Sequence, residues 1–484
     1  MFKTLQATWP KDTDLPERAY RVGILSRVLD GTIYDNLPNA FHQEKNEAGE
    51  YVPLRQRRPC GRYNLCRVVV DDSVSLLFSE GHFPEAEHDD KETKEALKKL
   101  VKECKLNELM IDAATRGSVG SVATFFRVIE GRIFLSASST QYLTPTWNPK
   151  APDTLLKVIE QYKVKGKALK DADYTIDDKD LQADFWLRTE WDANAETAFL
   201  PAKVSKTEAP VFKKDTARSV EHKLGFVPVV WTKNLPGGDE IDGGCSFPND
   251  VIDTSIEIDY LLSQNGRGLK YTMDPTLIIK EPAMGGNGEM VKGAGNAIVV
   301  SKDGDAKMLE INGTASDALI NFVRFLRELA LEGAHGNRAN ADKLSAAQSG
   351  RAMELMNQAL IWLADKLRIS YGEGALREIL VMMIKAADKL PLKFKDGSDV
   401  GKLAQKGDVT LRWPAWYQPT ALDSQEKAET LHTLKDSGLM SRETGVKAIA
   451  ADYDIEDVPA EIAAIEKEEA ARNAAAQKTV TIQE

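Results

Sequence analysis

"GNRANADKLSAAQSGRAMELM" (residues 336–356) changes character halfway along. Its first half is polar and built from small residues. In the second half Ser345, with Gln348 three positions on, forms a capping-box pattern. Ala352, Leu355, Met356, Ala359, Leu360, Leu363 and Leu367 then lay one apolar stripe along a helix that persists to about Lys389. Gly372 and Gly374 lie inside that helix and predict a kink. A soft loop therefore precedes a long helix, and the elements around it decide the architecture.

Upstream of the loop, a helix is expected from about Ser316 to Leu331, with Leu319, Ile320, Val323, Leu326, Leu329 and Ala330 apolar. Before it, residues 273–315 have strand character: "PTLIIKEP" and "NAIVVSKDGDAKMLEI" flank the glycine-rich "GGNGEMVKGAGN". Before that, Pro248 suits the first turn of a helix lined by Val251, Ile252, Ser255, Ile258 and Leu262, ending near Gly266 or slightly later. The order is helix, small β-unit, helix, soft loop, long helix.

The first 240 residues read as α+β. A helix is expected from Lys94 to Arg116, stopped at Gly117. In "VATFFRVIEGRIFLSASS" (122–139), Glu130-Gly131 between two β-rich runs predicts a hairpin. "LLKVIEQYKV" and "ADFWLRTEW" continue an antiparallel meander to about Val230, where "NLPGGDEIDGGCS" (234–246) breaks regular structure. After a short strand in "GDVTLRWPAW", only helices follow: Asp436-Ser437-Gly438 ends one, Ser441 caps the next, and Pro459 opens a third.

The chain has 484 residues, roughly three domains at about 150 residues each. With 42% hydrophobic and 28% charged residues it reads as globular. The first residues hold no apolar signal core, and the longest apolar run near a helix, "ILVMMI" (379–384), is far short of a membrane span, so no membrane partner is expected. Four cysteines without a C-x-x-C pair, and six histidines, give poor support for a zinc site or a disulfide framework. A net charge of -11 argues against a simple basic-patch binder of nucleic acid. The charge is uneven, because residues 421–484 carry 14 acidic and 7 basic side chains.

No catalytic constellation emerges. A phosphate loop, H-E-x-x-H and G-x-S-x-G are all missing. "GGNGEMVKGAGN" has Val291 where a dinucleotide fingerprint needs glycine, and strands flank it on both sides, so it reads as an exposed turn. The acid pairs Asp71-Asp72, Asp89-Asp90 and Asp177-Asp178 could hold a cation in a nuclease, but paired acids on loops are normally solvated. His335 reads as an ordinary histidine of a polar loop. No cofactor and no resident metal are expected, and the chain reads as a non-enzyme.

The order of elements, with "YNLCRVVVDDSVSLLFSEG" (63–81), "GFVPVVWTKN" (225–234), Ile258-Asp259, "SGRAMELM" (349–356) and the acidic "SRETGVKAIAADYDIEDVPAEIAAIEKEE" (441–469), resembles the portal proteins of tailed double-stranded DNA bacteriophages with long noncontractile tails. The similarity runs from about Tyr20 to Glu469. It implies a portal fold assembled as a ring, usually a dodecamer, in the virion at one capsid vertex after assembly in the host cytoplasm. The parts implied are a wing (1–247), stem helices (248–272 and 316–332), a clip (273–315), a tunnel loop (333–346), a long kinked helix returning to the wing (347–420) and a helical acidic crown with the C-terminal tail (421–484). Implied partners are double-stranded DNA, the terminase large subunit, scaffold and major capsid proteins, and head-completion proteins. ATP hydrolysis would belong to the terminase.

On that resemblance, His335, Asn337, Arg338, Asn340, Asp342 and Lys343 would face DNA in the tunnel loop. Asp253, Glu257, Arg267, Lys270, Arg324, Arg327 and Glu328 are stem or channel candidates, and Asn287, Glu289 and Lys292 are clip docking candidates. A loop facing a moving duplex must hold it weakly, because tight phosphate contacts would brake translocation. The loop is only slightly positive. The two stem segments, counting Asp250, Asp253, Glu257 and Asp259 against Arg267 and Lys270 in the first, and Asp317, Glu328 and Glu332 against Arg324 and Arg327 in the second, are mildly acidic. Two other readings fit the residues less well: a metal-dependent nuclease, and a non-channel structural adaptor.

Overall fold

The computed structural model describes residues 1–205, 207–273, 276–282, 300–309, 314–336, 354–355, 357–417, 421–450, 453, 455 and 457–480. The chain divides into two compact units, Met1–Ala339 with Asn357–Trp416, and Asn340–Met356 with Tyr417–Glu484.

The first unit opens with helices α1 (Phe2–Gln6) and α2 (Glu17–Leu29), short paired strands β1 (Asn39–Ala40) and β2 (Arg57–Arg58), and α3 (Leu65–Phe78). Asn64, in the left-handed region, caps α3 by accepting from the Arg67 N–H. α3 supplies much of the core through Leu65, Cys66, Val69, Val70, Leu77 and Phe78. Strand β3 (Glu85–Glu87) precedes α4 (Lys91–Glu103), capped by Asp90, and α5 (Leu106–Gly117).

The single helix expected over 94–116 is thus two helices. Lys105 adopts φ 50° and breaks it. At 100° per residue, Leu106, Met110 and Ala113 would lie roughly 140° round a continuous helix from Leu97 and Leu100. All five are fully buried or nearly so, which a straight helix on one core could not achieve.

Strands β4 (Ser121–Ile129) and β5 (Arg132–Ser139) form the expected hairpin. Glu130 and Gly131 both take positive φ, as a two-residue turn of type I′ requires. A Cβ on Gly131 would stand 2.9 Å from the Pro391 carbonyl oxygen, so the tip also needs glycine for close approach. The meander follows as β6 (Leu143–Asn148), β7 (Ala151–Lys165), β8 (Asp184–Trp191) and β9 (Ala195–Ala198), each antiparallel to the last, with α6 (Gly166–Asp171) between β7 and β8. β10 (Ala202–Lys203) pairs β8, β11 (Val220–Glu221) pairs β9, and β12 (Val229–Lys233) pairs β4.

Strand β4 is buried on both faces, which accounts for its unbroken apolar run. Val122 and Phe126 enter the main core with α2, α3 and α5. Ala123 and Phe125 face a second cluster with Leu143, Val158, Trp191 and Trp231. Phe125 and Trp191 meet at 4.7 Å between ring centroids.

Next come α7 (Asn249–Met273), the antiparallel pair β13 (Thr276–Pro282) and β14 (Val300–Leu309), and α8 (Thr314–Gly333). The long helix begins as α9 (Gln358–Leu367), passes through a π-helical stretch, Arg368–Leu376, and resumes as α10 (Arg377–Lys389). The irregularity expected at Gly372 and Gly374 takes this π-helical form. A Cβ on Gly372 would lie 2.5 Å from the Trp413 ring, so the widened turn seats a tryptophan on bare backbone. β15 (Thr410–Arg412) closes the unit against β3.

The second unit's described helices are α11 (Ala421–Asp436), α12 (Arg442–Ala450) and α13 (Val458–Val480). Gly438 at φ 72° terminates α11, and Ser441 Oγ caps α12 by accepting from the Thr444 N–H at 3.2 Å. Asp457 caps α13, two residues before Pro459. Arg442 holds Glu469 bidentately at 2.8 and 2.9 Å, tying α12 to α13.

Candidate functional site

The elements flanking the opening stretch are α7, its β-hairpin and α8. The two helices pack together, and Gly333 at the end of α8 lies beside Asp250 and Val251 at the start of α7. They therefore run antiparallel, and the two strands between them are paired antiparallel as well, with Thr276 opposite Leu309 and Lys280 opposite Asp305.

The base of α7 is stitched to the core by polar residues four apart on one face. Ser255, Asp259 and Ser263 meet the backbone of residues 60–65. Asp259 accepts from the Tyr63 N–H at 2.7 Å and the Tyr34 hydroxyl at 2.8 Å. Ser263 Oγ accepts from the N–H groups of Cys60 and Gly61, both at 2.9 Å, and Ser255 Oγ from that of Leu65 at 3.2 Å. Burial pushes the Asp259 carboxyl up, only partly offset by the Tyr63 and Tyr34 hydrogen bonds. At 2% exposure Asp259 cannot contribute to a surface, so it drops out of the acidic face expected for α7. The i, i+4, i+8 spacing of 255, 259 and 263 is the sequence signal for this ladder.

The other candidates fall in different surroundings. Asp253 accepts from the Phe2 N–H at 2.6 Å and from the Met1 amino group at 3.2 Å. Partial burial pushes its carboxyl up, but these two donors outweigh that and hold it below the usual range. Glu257 is half-buried and Lys270 exposed, while Arg267 pairs with Glu44. On α8, Arg324 and Glu328 are exposed. Arg327 is half-buried near Asp72 of α3, whose carboxyl is pushed up by partial burial and by Asp71, against the pull of Arg327.

His335 is exposed and takes φ 53°, the left-handed position after a helix. The Gly336 N–H then bonds to the Leu331 carbonyl at 2.8 Å, so His335 closes α8 through its backbone. Asn337, Arg338, Asn340, Asp342 and Lys343 lie outside the described residues, as do Asn287, Glu289, Lys292 and the Ser345–Gln348 capping box.

Two networks missed in the sequence join distant segments of the first unit. Arg18 grips Asp242 with two hydrogen bonds of 2.8 and 2.7 Å and donates to the carbonyls of Thr140 and Leu143. Ser121 and Arg21 also reach Asp242. Tyr371, in the π-helical stretch, donates to Asn234 Oδ1 at 3.0 Å, and Asn234 Nδ2 donates to the Gly244 carbonyl and Ser246. An open cleft of about 610 Å³ is walled by Trp147, Trp231, Thr232, Lys233 and Ser370.

Asp239 accepts from the Asp242 and Ile241 N–H groups and from Arg21. Partial burial pushes its carboxyl up, but these donors bring it from 3.8 down to about 2. A depressed carboxyl contributes stability above its unfolded pKa and loses it as pH falls through the folded one. Asp239→Asn is therefore expected to flatten the fall of the urea midpoint between about pH 4 and about pH 2. An unchanged slope would show that the carboxylate does not carry that dependence.

Among the described residues no group of three or more His, Cys, Asp or Glu converges as a metal site. Asp71 pairs with Arg67, Asp90 caps α4 and Asp178 pairs with Lys170. Burial pushes the Cys66 and Cys245 thiols up to about 12 and Cys104 to about 11. Among the described residues, no helix is long and apolar enough to cross a membrane.

The geometry defines a structural class: a mixed α/β body whose polar networks fasten elements together, carrying a two-helix excursion with a β-hairpin. The family model "Phage portal protein, SPP1 Gp6-like" matches residues 56–475, and the chain belongs to that family. It is a portal protein of the phage type, a structural rather than an enzymatic family. A comparison with curated proteins finds no match.

Among solved structures, the chain is similar to one from the virion of a native gene transfer agent particle, with TM-score 0.35, 10% identity, and 80% of this chain and 89% of that one covered. It is also similar to a chain from the neck of the empty particle computed with C6 symmetry (TM-score 0.37, 8% identity, 80% and 89% covered). A third is from the neck of the native particle computed with C12 symmetry (0.36, 11%, 80% and 88%). The family membership rests on the sequence match; overlays this weak add nothing to it.

Proposed function

We propose that copies of this chain form a ring, a dodecamer in the virion, around a channel that passes double-stranded DNA during packaging and ejection at one capsid vertex. The observation that carries this reading is the family match over 56–475. The α7, β13–β14 and α8 excursion, with the small-residue segment after it, gives the reading its working parts.

In it, residues 1–247 form the wing, 248–272 and 316–332 the stem, 273–315 the clip, 333–346 the tunnel loop, 347–420 the long helix and its return, and 421–484 the crown. The clip docks the terminase large subunit and later the head-completion proteins; scaffold and major capsid proteins surround the ring. Asp253, held by the Phe2 N–H and the Met1 amino group yet half-exposed, and the exposed Lys270, Arg324 and Glu328 are the channel candidates with described surroundings.

Weak attachment is the physical requirement on the tunnel loop. Deleting residues 337–344 is expected to leave rings intact by native mass and negative-stain imaging but to impair packaging or retention of DNA. Normal packaging by such rings would remove the loop from the mechanism. A wild-type chain that stays monomeric across salt and concentration would count against the ring itself.

A further inference from the structure

One edge of β12 carries peptide groups that nothing else uses. In the β12–β4 ladder the Phe126 N–H bonds the Pro228 carbonyl, and the Asn234 N–H bonds the Gly120 carbonyl. Peptide groups alternate sides along a strand, so residues 228, 230, 232 and 234 turn theirs to β4, while 231 and 233 turn theirs away. Among the described residues no other strand pairs β12, and none bonds to the peptide groups of Trp231 or Lys233.

That edge faces the open cleft of about 610 Å³, since Trp231, Thr232 and Lys233 all line it. Consecutive side chains of a strand point to opposite faces, so a cavity touched by all three runs along the edge and not over one face. Trp147, Pro149 and Pro152 wall it on the side of Trp231, where Trp147 packs against the second cluster. Ser370 and Gly374 wall it on the side of Thr232, where their neighbour Tyr371 reaches Asn234.

The unused groups define the occupant. A helix spends its peptide groups internally, whereas an extended segment offers them at the spacing of Trp231 and Lys233. A folded sheet would drive its own packed layers into both walls; a single segment does not. Charge adds a further requirement. Asp153 and Glu240 line the cleft, are exposed and make no ion pair among the described residues, while the Lys233 ammonium donates to the Asp239 carbonyl at 3.2 Å.

We propose that this cleft binds an extended segment of a partner protein, added as a strand to the outer edge of β12. Its main chain pairs with Trp231 and Lys233, an apolar side chain lies against Trp147 and Trp231, and a basic one meets Asp153 and Glu240.

The test uses the full-length chain, with a displayed library of random short peptides as probe. Enriched peptides are expected to hold an apolar residue and a Lys or Arg two positions apart, and to slow amide hydrogen exchange across 229–234. Gly374→Trp fills the cleft from its exposed wall, where a Cβ meets only the Ile369 carbonyl, at 3.6 Å. Lys233→Pro removes one outward N–H and spares the β4 ladder, as an edge strand allows. Each is expected to weaken binding about tenfold or more, with urea midpoints showing that the variants stay folded. Unchanged affinity in either folded variant overturns the proposal, as does a library that yields no binder. Exchange in the unsubstituted chain decides the matter even if a variant unfolds, because peptides that leave 229–234 unslowed do not add a strand there. Slowing produced by assembly alone, with no peptide present, would make the occupant a neighbouring copy and overturn the proposal too.

Discussion

Asp242→Ala is expected to lower the stability of the first unit by about 3–5 kcal/mol, because it removes one partner of a buried ion pair. Arg18 and Asp242 are 13% and 5% exposed, and Asp242 also receives the Ser121 hydroxyl at 2.6 Å. After the substitution the guanidinium keeps the carbonyls of Thr140 and Leu143 but no carboxylate. Three segments lose their common anchor: α2, the start of β4 and the turn at 239–242. The control is Arg21→Ala, which breaks a contact to the same carboxylate from a half-exposed position. It should cost no more than about 1 kcal/mol. Urea midpoints at fixed protein concentration measure both. Equal effects would mean that Asp242 acts through its surface contacts rather than through the buried pair.

Gly117→Ala should be nearly as damaging, and its damage should depend on one oxygen atom. A Cβ there would stand 2.1 Å from the Tyr371 hydroxyl and 3.1 Å from its Cζ. Tyr371 is fully buried, so it has no solvent to retreat into. Overpacking of about 1–3 kcal/mol adds to the cost of leaving Asn234 Oδ1 unpaired, again about 1–3 kcal/mol. Tyr371→Phe alone should cost about 1–2 kcal/mol through the loss of that hydrogen bond. The double variant should be clearly more stable than the sum of the two, since the phenylalanine removes the atom that clashes. Additive costs in that cycle would show that the clash is absorbed elsewhere. Since Tyr371 sits in the π-helical stretch, the same cycle tests whether the stretch is held in place by its contact with Asn234.

Much of the fold was legible where the determining forces are local. Glu130-Gly131 named the β4–β5 hairpin, because turn chemistry is set by residues that must take positive φ. Ser441 and Gly438 marked helix ends for the same kind of reason. The periodicity around Val251 and Ile258, and around Val323 and Leu326, located α7 and α8, though both run beyond the ends expected. The break at Lys105 was not legible. The apolar residues on either side of it read as one stripe until the core showed that they point in different directions.

The candidate site was less legible than the fold. Asp253 and Asp259 looked like surface charge because a sequence shows an acid but not its partner. One is fastened to the chain's N-terminus and the other is buried under Tyr34. Arg18 and Asp242, and Tyr371 and Asn234, are separated by 224 and 137 residues, so no window of sequence pairs them. The apolar residues of α8 were equally ambiguous, since they read alike whether or not anything covers them. Val323 packs inward, whereas Phe322, Phe325 and Leu329 stand bare.

By itself, then, the sequence determined the kinds of element, their order, the hairpin at Glu130-Gly131 and the family to which the chain belongs. Each of these is written in short-range backbone preference, in side-chain periodicity or in local motif. The tertiary structure alone decided which acids are buried, which distant residues pair and which apolar faces stay exposed. Those outcomes depend on burial and on contacts between segments far apart in the chain, and the free energy of a side chain is set by what surrounds it after folding.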